Sequence, residues 1–431
     1  MHKEIILGKS IELISKKIVK RSGSTWPGHL ALKSNKNFLQ KLITKNPNLK
    51  LILVAGTNGK TTTTKLLVEI LEKNKILVFS NQEGANLLNG IASTFISHAK
   101  PNGTIPYEAA ILEVDENSLQ HITEAITPDA IVVLNLFRDQ LDRYGEVNSI
   151  AKKWKSALLK IPKKTKLIIN GDDPQLRYIG ENSGLHSFYF GLDEKFMTAK
   201  ISSHDSDFLY CPHCSAKLKF KKLSYSHMGL FSCPKCKFTH KPTQTFPSLS
   251  NPLLGNYNRY NINGAALAAQ KVFGIEPKSI ETVLQGFKPA FGRQEEIKVR
   301  DKNIFILLSK NPTGFNQSIQ AVLSKDKNPQ VMLVLNDRIP DGRDISWIWD
   351  VDFENLNNSK NITISGDRAH DMAIRIKYTD ISESSFTINE RLEDAIHQAI
   401  DKTPKEQTLY ILATYSGMLE TRQILTGKKL L

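Results

Sequence analysis

Short apolar runs punctuate the chain, and between them apolar residues return every three or four positions. Residues 51–55, 75–81, 109–114, 130–134, 166–170 and 187–190 read as strands, bounded by Gly, Pro, Asn and Asp. The run 62–71 has helical spacing. Strands alternating with helices predict a mostly parallel sheet with helices on both faces. From Asn303 the alternation restarts. Residues 304–308, 330–335, 361–365 and 408–414 are expected to be strands, and 316–323, 369–375 and 392–400 helices. This predicts a second, smaller α/β unit of Rossmann-like pattern. Residues 20–48 read as a turn-rich stretch followed by a short helix over 37–44. Ahead of them, Ile5, Ile6, Ile11, Leu13, Ile14 and Ile18 mark one face of an amphipathic helix. The expected organisation is an N-terminal helical segment over 1–48, a central unit over 49–300 and a C-terminal unit over 301–431.

One stretch breaks the pattern. Residues 197–242 carry only short β-like runs, at 218–220 and 230–232, and hold all four cysteines of the chain. Cys211 and Cys214 form one C-x-x-C pair and Cys233 and Cys236 another. A tetrahedral structural zinc site needs two close pairs brought together by a hairpin, and this spacing supplies them. The expectation is an inserted zinc ribbon whose four thiolates close the site, making the metal structural rather than catalytic. His213 and His240 are alternative ligands that four thiolates make unnecessary. Disulfides are the competing reading, and they belong to oxidising compartments.

The chemistry gathers where the first strand ends. Gly56, Thr57, Asn58, Gly59, Lys60 and Thr61 lie between a strand and a helix. Such a turn aims backbone N–H groups and a helix N-terminus at one point, which suits phosphate. Lys60 is then placed for the β- and γ-phosphates, and the Thr61 hydroxyl for Mg²⁺. The strict G-x-x-x-x-G-K-[ST] pattern is not met, because its first glycine falls on Val54. Glu113, Asp115, Asn135, Asp139, Asp142 and Asp172 fall at or beyond the carboxyl ends of other strands, where ligands bind in such sheets. Carboxylates at successive strand ends beside a phosphate loop favour a Mg²⁺-nucleotide site.

Composition adds limits. The chain has 431 residues, 40% hydrophobic and 23% charged, as expected of two or three globular domains. No apolar run approaches the roughly 20 residues of a membrane span. A secretory core and cleavage site are lacking at the start, so a cytoplasmic protein is expected. The net charge of +15 suits anionic substrates, an anionic lipid surface or nucleic acid, but the lysines are dispersed. The loop 336–354 is acidic and holds two of the four tryptophans, which suits an interface or a site, or else an ordinary core.

Several motifs resemble one ligase group in sequence order. A-G-T-N-G-K-T-T-T at 55–63 resembles the ATP loop of Mur ligases and folylpolyglutamate synthases, and L-E-V-D-E at 112–116 their Mg²⁺-binding strand. N-L-F-R-D-Q-L-D-R-Y-G at 135–145, N-G-D-D-P at 170–174, G-N-Y-N-R-Y-N at 255–261 and F-G-R-Q-E at 291–295 are similar to further motifs of that group. Two departures stand out. Gln140 replaces a histidine associated with a second metal, and L-L-S-K-N-P at 307–312 lacks the aspartate of D-[YS]-A-H-N-P. The Cys₄ insertion and D-G-R-D-I-S-W-I-W-D at 341–350 resemble the MurT family, the synthetase subunits of lipid II isoglutaminyl synthase.

That resemblance implies ATP-dependent amidation of the D-glutamate α-carboxylate of the lipid II stem peptide, through an acyl phosphate, with ammonia from a GatD-like glutaminase partner. It implies that Gly56, Thr57, Asn58 and Gly59 cradle phosphates, and that Thr61 and Glu113 hold Mg²⁺. Lys60 neutralises phosphate, and Arg293 reaches the transferring phosphoryl group. Asn258 and Asn261, and more weakly Asp172, are implied adenine or ribose contacts. Lys310 and Asn311 orient nucleotide or substrate. Asp350 is implied to complete the partner's Cys–His triad, with Asp344 and Asp352 as alternatives. A cytoplasmic location, at the inner face of the membrane where the lipid-linked substrate lies, goes with this reading, and no nucleic acid does. Two other functions stay open: a stand-alone Mur- or folylpolyglutamate-type amino-acid ligase, and a zinc-ribbon nucleic-acid-binding protein.

Overall fold

The apolar run at 51–55 lies in β1, Lys50–Ala55, inside a six-stranded sheet. The computed structural model describes residues 2–14, 25–81, 84–139, 147–198, 207–289, 292–359 and 361–427. In the first sheet, β1 is joined by β2 (Val78–Ser80), β3 (Ala109–Val114), β4 (Ala130–Val133), β5 (Lys166–Asn170) and β6 (His186–Phe190). Their order is β2-β3-β1-β4-β5-β6, and every neighbouring pair is parallel. The winding reverses at β1, between β3 and β4, so the loops there part and leave a crevice beyond the strand ends.

Alternation along β1 divides the core. Leu51, Leu53 and Ala55 face one layer, with Phe95 and Trp154. Ile52 and Val54 face the other, with Leu66, Leu67 and Ile70. Both faces are buried, which is why these strands read as continuous apolar runs. The second layer includes the helix Asn258–Phe273, whose Ala265, Ala266, Ala268 and Ala269 are buried against the helix Lys60–Lys73 and the sheet.

The inserted stretch forms an antiparallel hairpin, β7 (Lys219–Tyr225) and β8 (Met228–Ser232). The second sheet contains β9 (Arg293–Val299), β10 (Lys302–Leu308), β11 (Gln330–Val334), β12 (Ile362–Ser365), β13 (Phe386–Ile388) and β14 (Thr408–Ala413). Its order is β13-β12-β11-β14-β10-β9, parallel except for β9 against β10.

Three elements differ from expectation. Trp26–Ser34 is a helix, not turns; Pro27 stands in its first turn, where its missing N–H costs nothing. Gly28 lets this helix press on Leu88–His98, since a Cβ would lie 2.0 Å from Asn89 O. β9 joins the second sheet, although the sequence grouped Arg293–Val299 with the preceding unit. β13 is too short to signal itself. The N-terminal helix, His2–Ile14, packs on the body through fully buried Ile5, while Ile6, Leu7 and Leu13 stay exposed. Ile18 lies outside the described residues. Among the described residues no helix is long and apolar enough to cross a membrane.

Candidate nucleotide site

The loop after β1 needs its two glycines. Gly56 has φ +148°, and a Cβ there would meet Leu134 Cβ at 2.9 Å and Asn135 N at 3.2 Å. Gly59 has φ +88°, and a Cβ would come within 2.1 Å of Asn261 Oδ1. The loop is pinned by the segment beyond β4. Asn135 O accepts from Thr57 N at 3.1 Å, and its side-chain Oδ1 accepts from Asn58 N at 2.8 Å. Asn135 Nδ2 donates back to Asn58 O at 2.9 Å, and Phe137 N donates to Thr57 Oγ1 at 3.0 Å. Asn135, read from sequence as a strand-end polar group, is therefore the loop's scaffold.

Lys60 opens the helix Lys60–Lys73 and is buried, 8% exposed. Its Nζ donates to Gly56 O at 2.6 Å and Thr57 O at 3.1 Å, and lies 3.4 Å from Glu116 Oε1. Thr61 Oγ1 donates to Glu113 Oε2 at 2.9 Å, and Arg293 Nη2 reaches that hydroxyl at 3.4 Å. Glu113 comes from β3 and Arg293 from β9, so both sheets meet at Thr61. A hydroxyl and a carboxylate this close are the hard oxygen donors that Mg²⁺ takes.

The second sheet also delivers Lys310. Its half-buried side chain brings Nζ to 2.5 Å from Asp139 Oδ2. Burial alone would pull its pKa down, but Asp139 and Glu116 outweigh that and leave it raised. Burial pushes Glu116 up, against the pull of Lys60 and Lys310. Asn311 caps the helix Pro312–Lys325 by accepting from Gly314 N at 2.7 Å, and its Nδ2 donates to Asn58 Oδ1 at 3.1 Å. Asn-Pro is the local signal for this start, a cap followed by proline at the first helical position. Lys60, Glu113, Glu116, Asp139, Arg293 and Lys310 line one cleft of about 1190 Å³.

A second cavity, of about 660 Å³, shares Gly59, Arg293 and Leu308 with that cleft. It is lined by Asn258 and Asn261 and by residues the sequence did not single out: Tyr225, Tyr257, Gln294 and Gln317. Asn258 Nδ2 donates to Leu254 O at 2.7 Å, and its Oδ1 accepts from Asn261 Nδ2 at 2.9 Å. Asp172 is not on this wall. It is fully buried, with Oδ1 2.8 Å from His240 Nε2 and Oδ2 accepting from Tyr260 OH at 2.9 Å and Leu192 N at 2.7 Å. It anchors the inserted stretch, and His240 is thereby engaged away from the cysteines. Gln140 and Asp142 lie outside the described residues.

Cys211, Cys214, Cys233 and Cys236 come together with all four Sγ atoms within 4.8 Å of one another. Four sulfurs at that spacing fit a tetrahedral thiophilic cation. Part of the 197–242 stretch, residues 199–206, lies outside the described residues.

Asp350 ends a 3₁₀ turn, Ser346–Asp350, beside a further cavity lined by Arg138, Asp139, Lys310 and Trp347. Its Oδ2 accepts from Arg138 Nη1 at 2.9 Å, and Arg138 also pairs with Asp207. Burial works against the Arg138 charge, but these two carboxylates raise its pKa. Asp344 instead accepts from Ser346 N at 2.8 Å, and Asp352 accepts from Asn316 Nδ2 at 3.2 Å. The two tryptophans divide: Trp347 packs on Phe315, whereas Trp349 is 49% exposed against Tyr378.

The chain is similar to known proteins. The Mur ligase middle domain family matches residues 54–269, and the MurT ligase C-terminal family matches residues 308–418. The chain is 32% identical to the lipid II isoglutaminyl synthase (glutamine-hydrolyzing) subunit MurT of Streptococcus pneumoniae, over 99% of this chain and 97% of that one. The chain belongs to the MurT family. Among solved structures, a pseudomurein peptide ligase type C from Methanothermus fervidus superimposes with a TM-score of 0.67 at 21% identity, covering 92% of this chain and 85% of that one. MurF ligase from Thermotoga maritima in complex with ADP gives 0.63 at 17% identity, over 92% and 83%. The Mur-ligase-like α/β fold is thus shared well beyond the MurT family, as is the pairing of a parallel sheet with a further C-terminal α/β unit.

Proposed function

We propose that this MurT-family chain amidates the α-carboxylate of D-glutamate in the stem peptide of lipid II, using ATP and ammonia released by a glutaminase partner subunit. The observation that carries the reading is the meeting at Thr61: the hydroxyl touches Glu113 from the first sheet and Arg293 from the second. A cleft so built holds a nucleotide triphosphate between two sheets and leaves its γ-phosphate facing acidic and basic groups together.

The chemistry follows from the poor leaving group of a carboxylate. Attack of a carboxylate oxygen on the γ-phosphorus forms an acyl phosphate and releases ADP. Ammonia then adds at the carbonyl carbon, phosphate leaves with the C–O electron pair, and a proton is lost to give the amide. Positioning and charge neutralisation supply most of the acceleration. Gly56 to Gly59 cradle phosphate with backbone N–H groups, Lys60 neutralises its charge, and Arg293 faces the transferring group. Thr61 and Glu113 are the residues that would hold Mg²⁺, which adds positive charge beside the phosphates when bound. Lys310, paired with Asp139, orients nucleotide or substrate from the second sheet's side of the cleft in this reading. A C-terminal unit from about 301 closing over the central unit would keep water from the acyl phosphate.

In this reading Asp350 serves the partner's active site, the Cys₄ group binds structural zinc, and the chain works at the cytoplasmic face of the membrane. The purified chain, given lipid II, MgATP and a high ammonium concentration, should form the amidated product by mass spectrometry. Amino-acid addition in place of amidation would favour the stand-alone ligase instead. The zinc reading has its own check. Elemental analysis should find about one zinc per chain, and Cys211→Ser should lose it with a fall in melting temperature. A metal-free chain of unchanged melting temperature would contradict that role.

A further inference from the structure

The hairpin of the inserted stretch has two ends. The cysteine pairs flank one, and the turn from Tyr225 to Met228 forms the other. That turn is plugged into the carboxyl end of the first sheet. His227 and Met228 are fully buried. His227 Nε2 lies 3.4 Å from Asp173 Oδ2, and its ring packs at 5.0 Å from both Phe137 and Phe208. Gly229 N donates to Asp172 O at 2.9 Å, beside the His240 contact with the same aspartate. Consecutive aspartates thus fasten the hairpin, and the fastening fixes Tyr225. Its ring stands 5.8 Å from Tyr260 at 77° and 5.8 Å from Phe137.

So held, Tyr225 borders the cavity that also takes in Gly59, Asn258, Asn261 and Gln317. The lysines of the phosphate cleft are absent from this lining, which combines amides, hydroxyls and flat or aliphatic surface. Such a lining suits a purine: a π-face for stacking and amides for the ring edge. The two cavities join at Gly59 and Arg293, so a nucleotide with its phosphates at Lys60 extends its base toward Tyr225.

We propose that Tyr225 is a wall of the nucleotide base site, so that the cysteine-bearing insertion is part of the ATP pocket and not an appendage to it. This rests on the ATP reading above and adds a residue to it from a segment that the phosphate loop does not require. Calorimetric titration with a non-hydrolysable ATP analogue and, separately, with inorganic tripolyphosphate tests it. Tyr225→Ala should weaken the analogue about 10-fold and leave tripolyphosphate within about twofold, and Tyr225→Phe should retain both. Tyr225→Leu, which keeps apolar packing on Tyr260 and Phe137 but removes the aromatic face, should lose the analogue selectively as well. Equal loss of both ligands, or of neither, in the Ala and Leu variants would overturn the assignment. A wild-type chain that binds tripolyphosphate but gains nothing from the analogue's base would overturn it too, while one that binds neither would refute the ATP reading itself.

Discussion

Lys60→Ala is expected to abolish amide formation with free ammonia as completely as with glutamine. The side chain is buried inside the curve of the phosphate loop, with Nζ within 3.1 Å of two loop carbonyls and 3.4 Å from Glu116. A cation in so enclosed a place is worth far more to a phosphate than one in water. Loss of a single preorganised group of this kind typically costs about 10²–10³ in rate. Here the loss also takes away Lys60 as one of the two cations, with Lys310, that pull against the burial of Glu116. Product formation from lipid II, measured with each nitrogen source, checks this. Surviving activity with ammonia would mean that Lys60 does not serve phosphoryl transfer.

Asp350→Asn is expected to separate the two nitrogen sources. Ammonia-driven amidation should stay within about twofold of wild type, while glutamine-driven amidation with the partner subunit should fall at least about 100-fold, as when an orienting aspartate is lost from a triad. The aspartate sits on a short turn, its Oδ2 held at 2.9 Å by Arg138, whose guanidinium is itself fixed by Asp207. An orienting carboxylate needs such support to present its other oxygen to a histidine. Asp344 and Asp352 are engaged with their own turn and with Asn316, so the corresponding Asn variants should spare both reactions. Equal failure of both nitrogen sources in Asp350→Asn would remove Asp350 from the partner's chemistry.

Much of the scaffold was legible in the sequence for a physical reason. Strands buried on both faces have to be apolar throughout, so β1, β3, β4 and β5 declared themselves. The phosphate loop did so through glycines that only its backbone geometry explains. β9 did not, because this antiparallel edge strand is mostly half-buried or exposed, and Arg-Gln-Glu-Glu-Ile-Lys-Val reads as a polar stretch. The helix Trp26–Ser34 was hidden by Pro27 and Gly28, which mark turns in a list of propensities but here mark a helix start and a close helix contact. Asp172 misled because a strand-end aspartate looks the same whether it faces a ligand or a buried histidine. Tyr225 had no local signal, being held by a hairpin that crosses to the first sheet, and Arg138 lay within a quoted motif but pairs with partners 69 and 212 residues away.

Carboxylate activation by phosphoryl transfer is the central step, and oxygen transfer reads it directly. Lipid II carrying ¹⁸O in the D-glutamate α-carboxylate, incubated with the chain, MgATP and ammonia, should deliver one ¹⁸O to inorganic phosphate for each amide formed. Amide formation with no label in the phosphate would contradict it.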